Sequence, residues 1–125
     1  MSRSGAPIYE HEIQRIWAEK DFDSSGLKTV DGKKVEVFSP GWWNQGQGPD
    51  FEAARLSIGD VFFYGSVEVH LQSSGWKAHG HNRNPAYNLV ILHVVLYHQP
   101  RHGVFNTLEN QLPELELAHH LKPLK

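Results

Sequence analysis

The chain contains no cysteine. That absence removes disulfide staples, cysteine-ligated zinc and thiolate nucleophiles together. No apolar run approaches the roughly 20 residues that a membrane-spanning helix needs, so a helical membrane anchor is not expected and the predicted partners do not include a membrane. The opening residues, MSRSGAPIYEHE, lack the continuous apolar stretch of a secretory signal, which makes the cytoplasm the expected location. An excess of charge of one sign is also missing, since 14 Asp and Glu against 12 Lys and Arg leave a formal net charge of −2. Any grip on nucleic acid must then be local, weak and salt-sensitive.

What is present suits one packed domain. The 125 residues are 39% hydrophobic and 21% charged, enough for a single core and too few for two. The unusual feature is histidine, with nine residues: His11, His70, His79, His81, His93, His98, His102, His119 and His120. Histidine titrates near neutral pH and is the commonest metal ligand, so a cluster between positions 70 and 102 points towards a site.

Residues 7–20 read as a helix, with Ile8, Ile13, Ile16 and Trp17 near one face and Glu10 and Glu12 at its positive end. Pro7 suits the first turn. Leu27–Val30 and Lys33–Phe38, separated by Asp31-Gly32, carry a hairpin signature. Ser39–Pro49 reads as a loop anchored by Trp42 and Trp43. Phe51–Ile58 and Val61–Tyr64 flank the turn Gly59-Asp60, and Gly65 reads as a bulge or bend. Ser66–Gln72 alternates, with Val67, Val69 and Leu71 on one face and Glu68 and His70 on the other. A helical turn is expected around Trp76, a buried central strand over 87–98, and a weak helix or extended tail over 112–121. The order predicts an α+β domain with an N-terminal helix and a mixed, mainly antiparallel sheet.

Two acidic residues carry the chemistry. Asp50 opens one strand after Gly48-Pro49, and Glu68 lies on the polar face of another. A hairpin between them can bring the two together, so that they share a divalent cation with the Val69 carbonyl as a third oxygen ligand. His70, two residues on, shares the Glu68 face. Each residue also has an ordinary reading: Asp50 as a turn residue after Gly-Pro, and Glu68 as a solvated position on an open sheet face. His79 and His81 flank Gly80, either as a metal or phosphate pair or as hydrogen-bonding loop residues. His93 reads as a satisfied core histidine, while His98, His102, His119 and His120 read as surface. Trp76 reads as packing. Arg55, Lys77 and Arg83 are the basic residues placed to meet a phosphate.

The pattern of Pro-Asp, a hairpin and then Glu-x-His resembles the signature of the PD-(D/E)xK nuclease superfamily. The resemblance implies a restriction-endonuclease-like core in which Asp50 and Glu68 hold Mg²⁺ or Mn²⁺ in preference to Zn²⁺. His70 then stands at the position usually held by Lys, which orients or activates the attacking water. An acidic residue of the first helix, Glu10 or Glu12, completes the set. Over nearly the whole chain, GPDFEAARLSIGD, GSVEVHLQSSGWKAHGHNRNPAYNLVILHVV and LPELEL resemble an uncharacterised bacterial family, domain of unknown function 2851. Its members are usually longer, so residues 1–125 are expected to be one domain from the N-terminal part of a longer architecture.

Three functions follow as expectations. The first is a divalent-metal-dependent nuclease-like phosphodiester hydrolase, with His79, His81, Arg55 and Lys77 meeting phosphate or a second metal. The second is a non-catalytic binding module on the same fold, for which Glu68 and His70 should be exposed and unpaired. The third is a zinc-dependent hydrolase built on Glu68, His70, His79 and His81.

Overall fold

Ile13, Ile16 and Trp17 recur at helical spacing and are fully buried, and the segment that holds them forms helix α1 (Glu10–Ala18) in the computed structural model, which describes residues 8–123. The helix is shorter than the pattern suggested. Ile8 precedes it, Pro7 lies outside the described residues, and Lys20, just past the end, takes a left-handed backbone conformation with φ of 52°.

The described residues build one six-stranded mixed sheet from β1 (Val35–Ser39), β2 (Trp42–Trp43), β3 (Phe51–Ile58), β4 (Val61–Gln72), β5 (Val90–Tyr97) and β6 (Glu114–Glu116). Its order is β1-β3-β4-β5-β6, with β2 also paired to β3. The pairings on the β1 side of β4 are antiparallel, whereas β4 with β5 and β5 with β6 are parallel. The mixed α+β expectation is met.

The turn at Gly59-Asp60 has positive φ at both residues, 56° and 68°, which matches the twist of a tight hairpin. Gly65 does not interrupt β4. A side chain there would come within 2.6 Å of the Leu89 carbonyl oxygen and 2.7 Å of Ile91, so glycine lets β5 approach closely. The Asp31-Gly32 hairpin closes through the Thr29 N–H to the Lys33 carbonyl at 2.8 Å, the Val35 N–H to the Leu27 carbonyl at 2.9 Å and a bridge between Lys28 and Lys34, while β1 also pairs with β3. Trp42 and Trp43, expected in a loop, form a short strand. The 112–121 segment resolves into β6 and a 3₁₀ turn at Ala118–His120.

The sheet is covered on both faces. Val67 and Val69 join Ile13, Ile16, Trp17, Leu92, Val94 and Leu115 in the main core. The opposite face of β4 carries Glu68 and His70, and the β4–β5 connection covers it. That connection contains the short helix α2 (Gly75–Ala78) and 3₁₀ turns at His81–Arg83 and Pro85–Tyr87. Trp76, Tyr87, Val90 and Val104 form a second, smaller core there. Clean alternation in β4 suggested an open polar face. In the structure Glu68 and His70 are only 4% and 1% exposed.

Candidate metal centre

The parallel register places Glu68 beside His93 and His93 beside Glu114. Parallel partners project to the same side, so an acidic, a basic and an acidic side chain form a row across three strands. His70 stands one side-chain step further along β4, and its Nδ1 lies 2.7 Å from His93 Nε2. His93 Nδ1 lies 2.8 Å from Glu114 Oε1.

Asp50 reaches this row at the point where the β3–β4 ladder ends. The last paired residues are Phe51 and Val67, next to a register shift between Phe51 and Ala54. Beyond that pair side chains replace the ladder. The Asp50 N–H donates to Glu68 Oε1 at 2.9 Å, and the Val69 N–H donates to Asp50 Oδ2 at 2.9 Å. The Val69 N–H thus faces Asp50.

Burial pushes Asp50 up to about 7, and the Glu68 charge adds to the effect. Burial likewise pushes Glu68 up to about 7, against hydrogen bonds from Asp50. The Glu68 charge disfavours ionisation of Asp50, and the Asp50 N–H bond to Glu68 Oε1 holds the two residues together. The pair titrates as a unit. Glu10 is the helix acid that the structure selects. It is half-buried, and burial and the Asp50 charge raise it while His79, His81 and His93 act against that. Gln14 of α1 also hydrogen-bonds Asp50.

Three histidines cluster beside Glu68, and two of them, His70 and His81, contact its carboxylate. His70, His79 and His81 each present a ring nitrogen within 4.8 Å of the others. His70 Nε2 is 3.1 Å from His79 Nδ1 and 3.5 Å from Glu68 Oε2, and His81 Nε2 is 2.9 Å from Glu68 Oε2. Neighbouring ligand atoms around one ion lie about 2.9 Å apart in an octahedral shell and about 3.3 Å apart in a tetrahedral one. The His70–His79 and His81–Glu68 separations fall in that range, and the His70–Glu68 separation is slightly longer. Burial, then the neighbouring His93, His81 and His79 rings, hold His70 far below the ordinary histidine value, so it is neutral near pH 7. Burial also lowers His81, whose Nδ1 is buried with no hydrogen-bond partner among the described residues. Its ring stacks on Tyr87 with centroids 3.7 Å apart and meets the edge of Trp76. Neutral imidazoles and raised carboxyls are the electrostatics of a pocket that takes up a cation.

Gly75 is essential to this packing. A side-chain carbon there would lie 2.7 Å from His70 Cγ and Cδ2. Gly75→Ala is expected to cost about 1–3 kcal/mol by forcing the ring or α2 aside, and to weaken Mn²⁺ binding about tenfold. Thermal melts and calorimetric titration measure both.

The structure brings together Asp50, Glu68, His70, His79 and His81. Arg55 is exposed on β3, five residues and about 16 Å of extended strand from Asp50. Among the described residues neither Arg55 nor Lys77 bonds to the carboxylates or the cluster histidines, although Lys77 sits on α2, two residues before His79. His98, expected at the surface, is half-buried with Nδ1 2.5 Å from Glu114 Oε2. Sequence reasoning missed Glu114 altogether. Its signal was the alternation Glu114-Leu115-Glu116-Leu117, which places Glu114 opposite the core leucines.

Among the described residues no helix is long and apolar enough to cross a membrane. Neither a curated protein nor a solved structure matches the chain. The family described as Protein of unknown function (DUF2851) matches residues 10–124, which includes every residue of the centre, and the chain belongs to that family.

Proposed function

We propose that this domain is a divalent-metal-dependent phosphodiester hydrolase of the nuclease-like type. The observation that carries the reading is the convergence of Asp50, Glu68 and a neutral His70, with Glu10 approaching from α1. A helix followed by an antiparallel β1-β3-β4 sheet and a parallel β5 corresponds to the order of a restriction-endonuclease-like core, which supports it. The burial of Glu68 and His70 favours chemistry over a bare interaction surface.

In this reading Asp50 and Glu68 hold Mg²⁺ or Mn²⁺, which supplies charge neutralisation at the phosphate. The imidazoles nearby favour Mn²⁺ of the two. His70 Nε2 orients or deprotonates the attacking water, the task Lys has in the related signature. His79 and His81 contact the phosphate or a second ion, and Lys77 lies at the rim. With a single cation so placed, binding to nucleic acid is weak and falls steeply with salt. The same reading puts the protein in the cytoplasm.

The test is incubation with single- and double-stranded DNA and RNA in Mg²⁺ or Mn²⁺. Cleavage is expected, and is lost with chelator and in Asp50→Ala and Glu68→Ala. Cleavage unchanged in both variants, or no ion binding by calorimetry, would overturn the reading. A second reading, a zinc-dependent hydrolase, is favoured by the close approach of the His70, His79 and His81 nitrogens. Activity with Zn²⁺ alone that disappears in His79→Ala and His81→Ala would select it.

A further inference from the structure

We infer that Glu114 and His93 are positioning residues that set the tautomer of His70, so that its Nε2 faces the metal centre as a bare lone pair. The inference starts from the donors around Glu114, which is 4% exposed. Ser73 Oγ donates to its Oε2 at 2.6 Å, His98 Nδ1 lies 2.5 Å from the same oxygen, and His93 Nδ1 lies 2.8 Å from Oε1. An ionised carboxylate has only acceptors to offer. His93 therefore carries its proton on Nδ1, and a neutral ring must then accept at Nε2.

The atom facing His93 Nε2 is His70 Nδ1, at 2.7 Å. It must donate. A neutral His70 protonated on Nδ1 has its lone pair on Nε2, the atom that faces His79 Nδ1 and Glu68 Oε2. In the metal-free protein this lone pair can accept from the His79 ring N–H at 3.1 Å, and it is the atom that a cation or a water proton would meet beside the Glu68 oxygen at 3.5 Å. The row of bonds from β6 through β5 to β4 thus keeps His70 ready for such a species. Carboxylates behind metal-site histidines act in this way, usually across one ring; here a second imidazole lengthens the relay. The consequence for catalysis rests on the hydrolase reading, whereas the tautomer does not.

The two are tested separately. In the metal-free native protein, ¹⁵N chemical shifts of the His70 ring, read from long-range ¹H–¹⁵N correlations, should show a protonated Nδ1 and a bare Nε2. A protonated Nε2 on His70, or a doubly protonated His93, would overturn the inference. Glu114→Leu removes every acceptor and should leave His70 with mixed tautomers and Mn²⁺ affinity lower by about 10–100-fold. Glu114→Gln keeps an oxygen for His93, while Ser73 and His98 can turn to accept, and it should restore the native tautomer. A folded Glu114→Leu with the native His70 shifts would also overturn it. If Glu114→Leu does not fold, the native spectrum alone decides. Failure of Mn²⁺ to bind beside the expected native shifts would remove the hydrolase reading and support the relay.

Discussion

Asp50→Asn is expected to raise the melting temperature of the metal-free protein at pH 8 and, in the same variant, to lower Mn²⁺ affinity about 100-fold or more. The stability gain follows from the raised values of Asp50 and Glu68. A carboxyl raised in the folded state contributes stability that is complete below its unfolded value. That contribution is lost as pH rises through the folded value. For this pair the loss runs from about pH 4 to beyond pH 7. Asparagine keeps an oxygen for the Val69 N–H and removes the buried charge that Glu68 opposes. Because Asp50 is partly exposed and the two sites are coupled, the gain at pH 8 is about 1–2 kcal/mol, or about 4–8 °C. The ion loses a charged ligand in the same substitution, which is why affinity falls while stability rises.

Glu114 works in the opposite sense. Burial alone would raise it, but hydrogen bonds from His93, Ser73 and His98 hold it below its ordinary value of 4.5. Its contribution is present above that value and is lost as pH falls further. Burial lowers His70 and His81 as well, so their contribution is lost as pH falls below the ordinary histidine value of 6.5. The metal-free native protein should therefore be most stable at about pH 6, with melting temperature declining on both sides, and Asp50→Asn should flatten the alkaline side. If the pair holds Mn²⁺ as proposed, saturating Mn²⁺ should remove the alkaline decline, since the ion offsets the charge of the ionised carboxyls. Calorimetric melts across pH 3.5–8.5, with and without Mn²⁺, check the sign of each limb.

Trp76→Ala is expected to cost about 3–5 kcal/mol, the range for removing a fully buried tryptophan. Trp76 is 1% exposed and is the largest member of the small core over β4. Its Nε1–H donates to the Phe105 carbonyl at 2.8 Å, which ties α2 to the segment before β6. Its ring edge also meets His81 and His93 at 5.2 and 5.4 Å between centroids. Truncation therefore opens a void beside two histidines of the centre and admits water to Glu68. Urea unfolding should show the stability loss. Mn²⁺ titration should show weakened binding even at temperatures where the variant is folded. Trp76→Phe, which fills most of the space, should lose the Phe105 bond and cost less.

Much of the strand pattern was legible because it depends on neighbours in sequence. Period-two alternation in Ser66–Gln72, the Gly59-Asp60 turn and the β-branched run of β5 are local signals, and the corresponding strands formed. The Asp31-Gly32 hairpin formed but stayed short, and tertiary pairing added what spacing could not report: β1 gained a longer partner in β3, and Thr29 also bridged to Leu115. The site was legible in part for the same reason. Glu68 and His70 share a face by periodicity, and a hairpin carries Asp50 back to them. His98 and Glu114 were misread or missed because their partners lie 16 and more residues away across parallel strands. No spacing rule reports parallel register.

The amino-acid sequence by itself determined which side chains could share a face, which turns could close, and that three histidines and two acids were available without a thiol. Only the tertiary structure decided that the polar face of β4 is buried. An alternating strand looks the same whether water or a folded connection covers it, and here Trp76 and Tyr87 cover it. Burial then changed the chemistry: the same Asp50, Glu68 and His70 that would be ordinary ionised or solvated groups on an open sheet become two coupled, raised carboxyls and a neutral imidazole, because the charged form of each loses its water.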